Sequence, residues 1–220
     1  MKTNITSIEV LIIVLLVAPL VYLGISWNQL PAEIATHYDL AGNENGWMTK
    51  EQVALFTAVI SLLLYLVLRF LPRIDSRNQL QTANYQKLRL VVTLLFSAIM
   101  GWVFYMAGHN VSNDGFVTIL MVIVSLTFVG IGNYIITIKP NWFVGIRTPW
   151  TLDNEIVWRK THRMGGRLMV AGGIVSMVLA LFLPMPYKVV VIVTIILLVT
   201  LVPVVYSYIY FQQEKAHKLN

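Results

Sequence analysis

Six runs of apolar residues, at 8–27, 51–71, 88–108, 115–138, 167–183 and 189–211, restrict the fold of this chain more than any other feature. Crossing a hydrocarbon core as a helix takes roughly 17–25 predominantly apolar residues, and each run reaches that length. Composition agrees: 57% of the residues are hydrophobic, only 12% are charged and the mean hydropathy is +0.72, unlike an ordinary soluble domain. The first run follows Lys2 but is too long for the core of a signal peptide. The sequence after it, "YLGISWNQLP", offers no small-x-small cleavage site, so this run reads as a retained span. The expectation is an all-α, polytopic membrane protein with six transmembrane helices.

A net charge of +6 and a pI near 9.6 acquire meaning only through their distribution. With the N-terminus inside, one face collects Lys2; Arg69, Arg73, Arg77, Lys87 and Arg89; Lys139, Arg147, Arg159, Lys160, Arg163 and Arg167; and Lys215 and Lys218. The other face keeps Lys50 and Lys188, so fourteen of the 16 Lys and Arg lie on one side. Such asymmetry predicts cytoplasmic termini. It also assigns the basic excess to insertion topology and attraction to anionic membrane lipids rather than to direct contact with nucleic acid. There is no cysteine, hence no disulfide and no thiolate metal site. The ionisable residues of the spans, Glu9, Glu51, Arg69, Arg89 and Arg167, sit near span ends. Neither a catalytic constellation, a cofactor site nor a mid-membrane proton relay is therefore expected.

The runs and charges divide the chain into an N-terminal two-span unit (1–71), a basic cytoplasmic linker with the third span (72–114) and a C-terminal three-span unit (115–220). The one sizeable outer loop is "NQLPAEIATHYDLAGNENGWMTKE", 28–51. Leu30-Pro31 stops the first helix, "AGNENG" is turn chemistry, and Thr49 with Glu51 and Gln52 starts the second helix. Glu33, Asp39, Glu44 and Glu51 outnumber Lys50, so the loop attracts a cationic or amphipathic peptide, for which Trp47 offers an apolar contact. His37 has Glu33 and Asp39 nearby, and His109 lies in a second outer loop. No zinc-type ligand spacing joins them, and His37 reads as a locally hydrogen-bonded loop histidine rather than as a metal ligand.

The larger inner loop, 139–166, differs from a solvated connection. Its first part, "KPNWFVGIRTPWTL", sets aromatics and turn-formers around Arg147. Thr151 is a plausible N-cap with Asp153 and Glu155 in the first turn, which predicts a short interfacial helix near 151–163. Trp142, Trp150 and Trp158 then rest at headgroup depth, with His162 beside them, while Arg147, Arg159, Lys160 and Arg163 reach lipid phosphates or helix ends. Gly145 and Pro149 aim Arg147 either at such an anchor or at a partner. Gly165-Gly166 turns the chain into the fifth span, where Gly172, Ser176 and Ala180 allow close helix approach. Asn133, near the inner end of span four, either bonds to a neighbouring helix or lines a cavity. Tyr206, Tyr208 and Tyr210 form an interfacial belt.

These residues carry a resemblance. The run "GNYIITIKPNWFVGIRTPWTLDNEIVWRKTHRMGGRLMVAGG", Gly132 to Gly173, resembles the signature of the SdpI family of bacterial membrane proteins. The run "LPAEIATHYDLAGNENGWMTK" resembles the outer loop of a small uncharacterised domain that often precedes this signature, matching at Leu30, Pro31, His37, Gly42 and Lys50. The resemblance implies a multi-pass protein of the bacterial plasma membrane that protects against a secreted, membrane-active peptide toxin and signals by retaining a cytoplasmic repressor. The outer loop would face the toxin through Glu33, His37, Asp39, Glu44, Trp47 and Lys50. The inner signature comprises Asn133, Lys139, Pro140, Asn141, Trp142, Gly145, Arg147, Thr148, Pro149, Trp150, Trp158, His162, Arg163 and Gly166. Two rival readings stand beside this one: a small-solute transporter or channel, and a membrane-integrity factor without a specific ligand.

Overall fold

A computed structural model describes residues 7–39, 42–80, 82–109 and 111–217; Lys2 and Lys218, used in the charge argument, lie outside the described residues. Among the described residues, six helices are long and apolar enough to cross a membrane. They are α1 (Ser7–Ser26), α2 (Lys50–Ile74), α3 (Ala83–Ala107), α4 (Asn113–Ile135), α6 (Glu155–Phe182) and α7 (Tyr187–His217). The short α5 (Pro149–Asp153) precedes α6, and a two-stranded antiparallel hairpin, β1 (Glu33–Tyr38) and β2 (Glu44–Thr49), joins α1 to α2. With six spans, the hairpin, residues 108, 109, 111 and 112 and the segment 183–186 share one end of the bundle. The turn 75–80 and the loop 136–154 share the other. These are called here the hairpin end and the loop end.

Side-chain caps set the helix starts. Thr49 accepts from the Gln52 amide while the Gln52 side chain accepts from the Thr49 amide, closing a capping box in which glutamine takes the acid's place. Ser112 caps α4 in the simpler way. Along the bundle α1, α2 and α3 pack together, α4, α6 and α7 pack together, and α3 against α4 joins the two groups. Outward-facing Val14, Val17, Leu62, Leu66, Leu197 and Leu201 are exposed, as the lipid face of a spanning bundle requires.

Small residues bring α4, α6 and α7 close. A Cβ on Gly166 would lie 2.6 Å from the Gly132 carbonyl oxygen, one on Gly173 2.7 Å from that of Ser125, and one on Gly172 2.5 Å from Val199 Cγ1. Without a hydrophobic driving force between helices in lipid, such close approach is the main source of association. This corrects the expected role of Gly165-Gly166. The pair does not turn the chain, because residues 155–163 are the first turns of α6 itself and the helix runs unbroken through both glycines. The separate short helix is α5, one turn long. Its N-cap is Thr148, with Thr151 at the N3 position, and α6 is capped by Asn154.

At the loop end, Glu9, Arg69 and Arg89 converge from α1, α2 and α3. Arg89 Nη1 donates to Glu9 Oε2 at 3.0 Å and Nη2 to Oε1 at 3.3 Å, while Arg69 Nε lies 3.4 Å from Oε1. Glu9 is 6% and Arg89 1% exposed. Breaking one side of such a pair strands a buried charge, so these three groups lock the register of the first three helices.

Candidate functional site

The hairpin end carries one of two candidate surfaces. Register runs Glu33↔Thr49, Ile34↔Met48 and Ala35↔Trp47, then becomes irregular before Tyr38↔Glu44. Ile34 is buried against Leu23, Leu30, Val53 and Phe104, which pins the hairpin onto the bundle. Its turn is held by Asp39: Oδ1 accepts from the Asn43 amide at 2.8 Å and Oδ2 from Asn43 Nδ2 at 3.1 Å. Gly42 supplies the positive φ of 83° that the turn needs. His37 Nδ1 pairs with Asn45 Oδ1. Lys50 Nζ donates to the Trp27 carbonyl at 3.3 Å and lies over the Trp27 ring.

Of the six residues expected to face outward, three therefore maintain the hairpin and three meet at a cleft. Glu33, Glu44 and Trp47 line a cavity of about 260 Å³ together with Tyr38, His109 and Asn113. Trp47 is 53% exposed and its Nε1 donates to Glu44 Oε2 at 3.3 Å. Tyr38 packs against Phe116 in a tilted ring pair, 4.4 Å between centroids, and donates to Met106 Sδ. Burial, with Glu44 nearby, pushes its phenol up to about 12, so it remains a protonated donor. His109, stacked on Tyr105 and bonded to the Tyr105 carbonyl, reaches the same cavity from just past the end of α3. Tyr38 and Asn113 escaped the sequence reading, and His109 entered it only as a histidine of a second outer loop, because nothing in linear spacing reports which residues near the α3–α4 connection meet the hairpin.

The loop end carries the second surface, and its centre is Asn141. Fully buried, Asn141 donates through Nδ2 to the carbonyls of Lys139 and Val144, both at 2.9 Å, and accepts through Oδ1 from the amides of Phe143 and Val144 at 2.8 and 2.7 Å. Every hydrogen-bonding site of its amide is thus used. Gly145, at φ 123°, passes over Trp158 and His162, where a Cβ would lie 2.3 Å from His162 Nε2. The Ile146 amide donates to that Nε2 at 2.9 Å, so the ring is neutral and its Nδ1 proton donates to the Trp158 carbonyl at 2.8 Å. Trp158 Nε1 donates in turn to the Ile138 carbonyl at 2.8 Å.

Trp158 and His162 are accordingly core residues with no exposed surface, not rings at headgroup depth. The amphipathic reading failed because each polar edge is consumed by a backbone group of the loop. Trp142 does remain exposed, and Trp150 ties α5 to α7 through Nε1 to Ser207 Oγ at 2.7 Å. Arg147 is exposed and donates to the Trp142 carbonyl within its own loop. Arg77 stacks over the Trp142 ring and donates to the Leu152 carbonyl at 3.0 Å, joining the α2–α3 turn to the signature loop. Lys139 and Pro140 border a shallow cleft with Arg77, Gln79 and Glu155. Thr148 and Thr151 form the capping box that opens with Pro149 at the first helical position. Arg163 is exposed on α6, Gly166 faces α4, and Asn133 is exposed rather than set between helices.

Six apolar helices, a buried ion-pair lock and a loop folded onto its own hydrogen-bonding hub define a multi-pass integral membrane protein. Residues 137–207 match the SdpI/YfhL protein family. Residues 14–68, which span most of α1, the hairpin and most of α2, match a domain of unknown function, DUF1648. Across 213 residues, 97% of this chain and 98% of the relative, the chain is 24% identical to the immunity protein SdpI of Bacillus subtilis (strain 168). No solved structure matches the chain.

Proposed function

We propose that the protein is a membrane immunity protein that protects its cell from a secreted, membrane-active peptide. The hairpin end faces outward, and the termini and the signature loop lie in the cytoplasm. The observation that carries this reading is the end-to-end likeness to an immunity protein, which covers both the hairpin unit and the signature loop. The site chemistry supports it: Glu33 and Glu44 share one cleft with an exposed tryptophan at the end that the charge asymmetry places outside. Opposite charge at a rim raises encounter rates and suits a cationic ligand.

The loop end suits a different task. Its backbone is fixed by Asn141, His162 and Trp158, so the exposed Trp142, Arg147 and Arg163 are displayed from a rigid frame toward lipid headgroups or a cytoplasmic repressor. Expression in a sensitive host tests the proposal. Cells carrying the protein should survive a secreted, membrane-active peptide toxin at concentrations that kill vector controls. Equal killing, with the protein confirmed in the membrane, would refute it.

A further inference from the structure

A second cavity adjoins the acidic cleft, and the two together specify more than electrostatic capture. The second measures about 390 Å³ and is mainly apolar. Its walls are Phe56 of α2 and Leu120 of α4, and Ile99 and Met100 of α3 form its floor. It exists because α2 packs mainly against α1 and barely against α3, which leaves a gap between α2 and α4 that the hairpin roofs. Phe56 is 47% exposed, so the slot opens sideways into the surroundings of the bundle. Tyr38, with Ala35 and Val103, borders both cavities. The acidic cleft therefore sits directly above an apolar slot, with Tyr38 as the partition.

We infer that this pair of cavities is a single binding site for a cationic amphipathic peptide, which places basic residues against Glu33 and Glu44 and its apolar side in the slot beside Phe56, Met100 and Leu120. The inference rests on the immunity reading and names the ligand class at that same site. Charge decides the occupant. A phospholipid whose acyl chain filled the slot would set its phosphate near two carboxylates that have no basic partner among the described residues. A basic peptide gains at both levels. The apolar wall also separates this ligand from a merely basic one, since a hydrophilic cation cannot use the slot.

The test uses the full chain in phosphatidylcholine nanodiscs, with empty nanodiscs subtracted. Two fluorescent probes are compared: a lysine/leucine peptide with helical amphipathic spacing, and a lysine/serine peptide of equal length and charge. Wild type should bind the lysine/leucine peptide at least about tenfold more tightly. Leu120→Trp, which fills the slot, should abolish that preference and leave lysine/serine binding unchanged. Phe56→Ala, a change at a half-exposed wall, should reduce the preference without endangering the fold. Glu33→Gln with Glu44→Gln should weaken both probes and flatten their salt dependence. Equal binding of the two probes, an undiminished preference in both slot variants, or a co-purified phospholipid that the peptide fails to displace would overturn the inference. Selective binding without cellular protection would instead discard the immunity reading and leave the site. Protection without selective binding would discard the site and leave that reading.

Discussion

Asn141 shows how one side chain can decide the shape of a loop. Its two donors and two acceptances replace the secondary structure that residues 139–146 lack, and removing them leaves buried backbone groups unpaired. Asn141→Ala should lower the stability of the detergent-solubilised protein by about 2–4 kcal/mol, read as a fall in its thermal midpoint. Asn141→Asp should cost more, because a carboxylate oxygen would then face the carbonyls of Lys139 and Val144 in place of the amide nitrogen. A wild-type midpoint in either variant would remove Asn141 from its central role. The sequence marked this residue as part of a signature without revealing its task. A hydrogen-bond hub has no periodicity to betray it, and His162 and Trp158 likewise looked interfacial until their partners were known.

At the scale of elements, hydropathy and caps made the six spans legible, and the Thr49–Gln52 box was visible in the residues themselves. Two features were not. The hairpin strands lack a clean alternation, and Ile34 is their sole buried member, so the segment reads as loop. The first turns of α6 were read as a separate helix because Arg159, Lys160, Arg163 and Arg167 interrupt the apolar run and because adjacent glycines break helices in water. Here those glycines serve contact between helices. Gly166→Ala should destabilise by about 1–3 kcal/mol or more, since its Cβ would press on the Gly132 carbonyl and on Ile136 Cγ1 at 2.4 Å. Gly24→Ala, with nothing within 4 Å of the new Cβ, should change stability by no more than about 1 kcal/mol. Thermal midpoints of the two purified variants make the comparison, and equal effects would contradict the close-packed seam.

For the whole molecule, orientation and binding are linked, because a secreted peptide can reach only the outer end. The absence of cysteine makes orientation directly measurable by single substitutions. A membrane-impermeant thiol reagent applied to intact cells should label Asn43→Cys on the hairpin and spare Arg159→Cys at the loop end; the reverse pattern would invert the molecule. The long-range ties that hold this arrangement, such as Arg89 to Glu9 across 80 positions and Arg77 to Leu152 across 75, leave no trace in sequence spacing. The charge asymmetry on which the proposed orientation rests is plain in the sequence. If the proposed capture holds, protection depends on the acidic cleft, and Asp39 stays unchanged in the variants because that carboxylate holds the hairpin turn. The decisive measurement is survival over a full toxin titration, comparing wild type with the Glu33→Gln, Glu44→Gln double variant at matched membrane levels. Two rim charges worth a few tenths to about 1 kcal/mol each predict a loss of roughly fivefold in the toxin concentration tolerated, with the remaining protection less sensitive to salt. Superimposable survival curves would contradict capture at the hairpin.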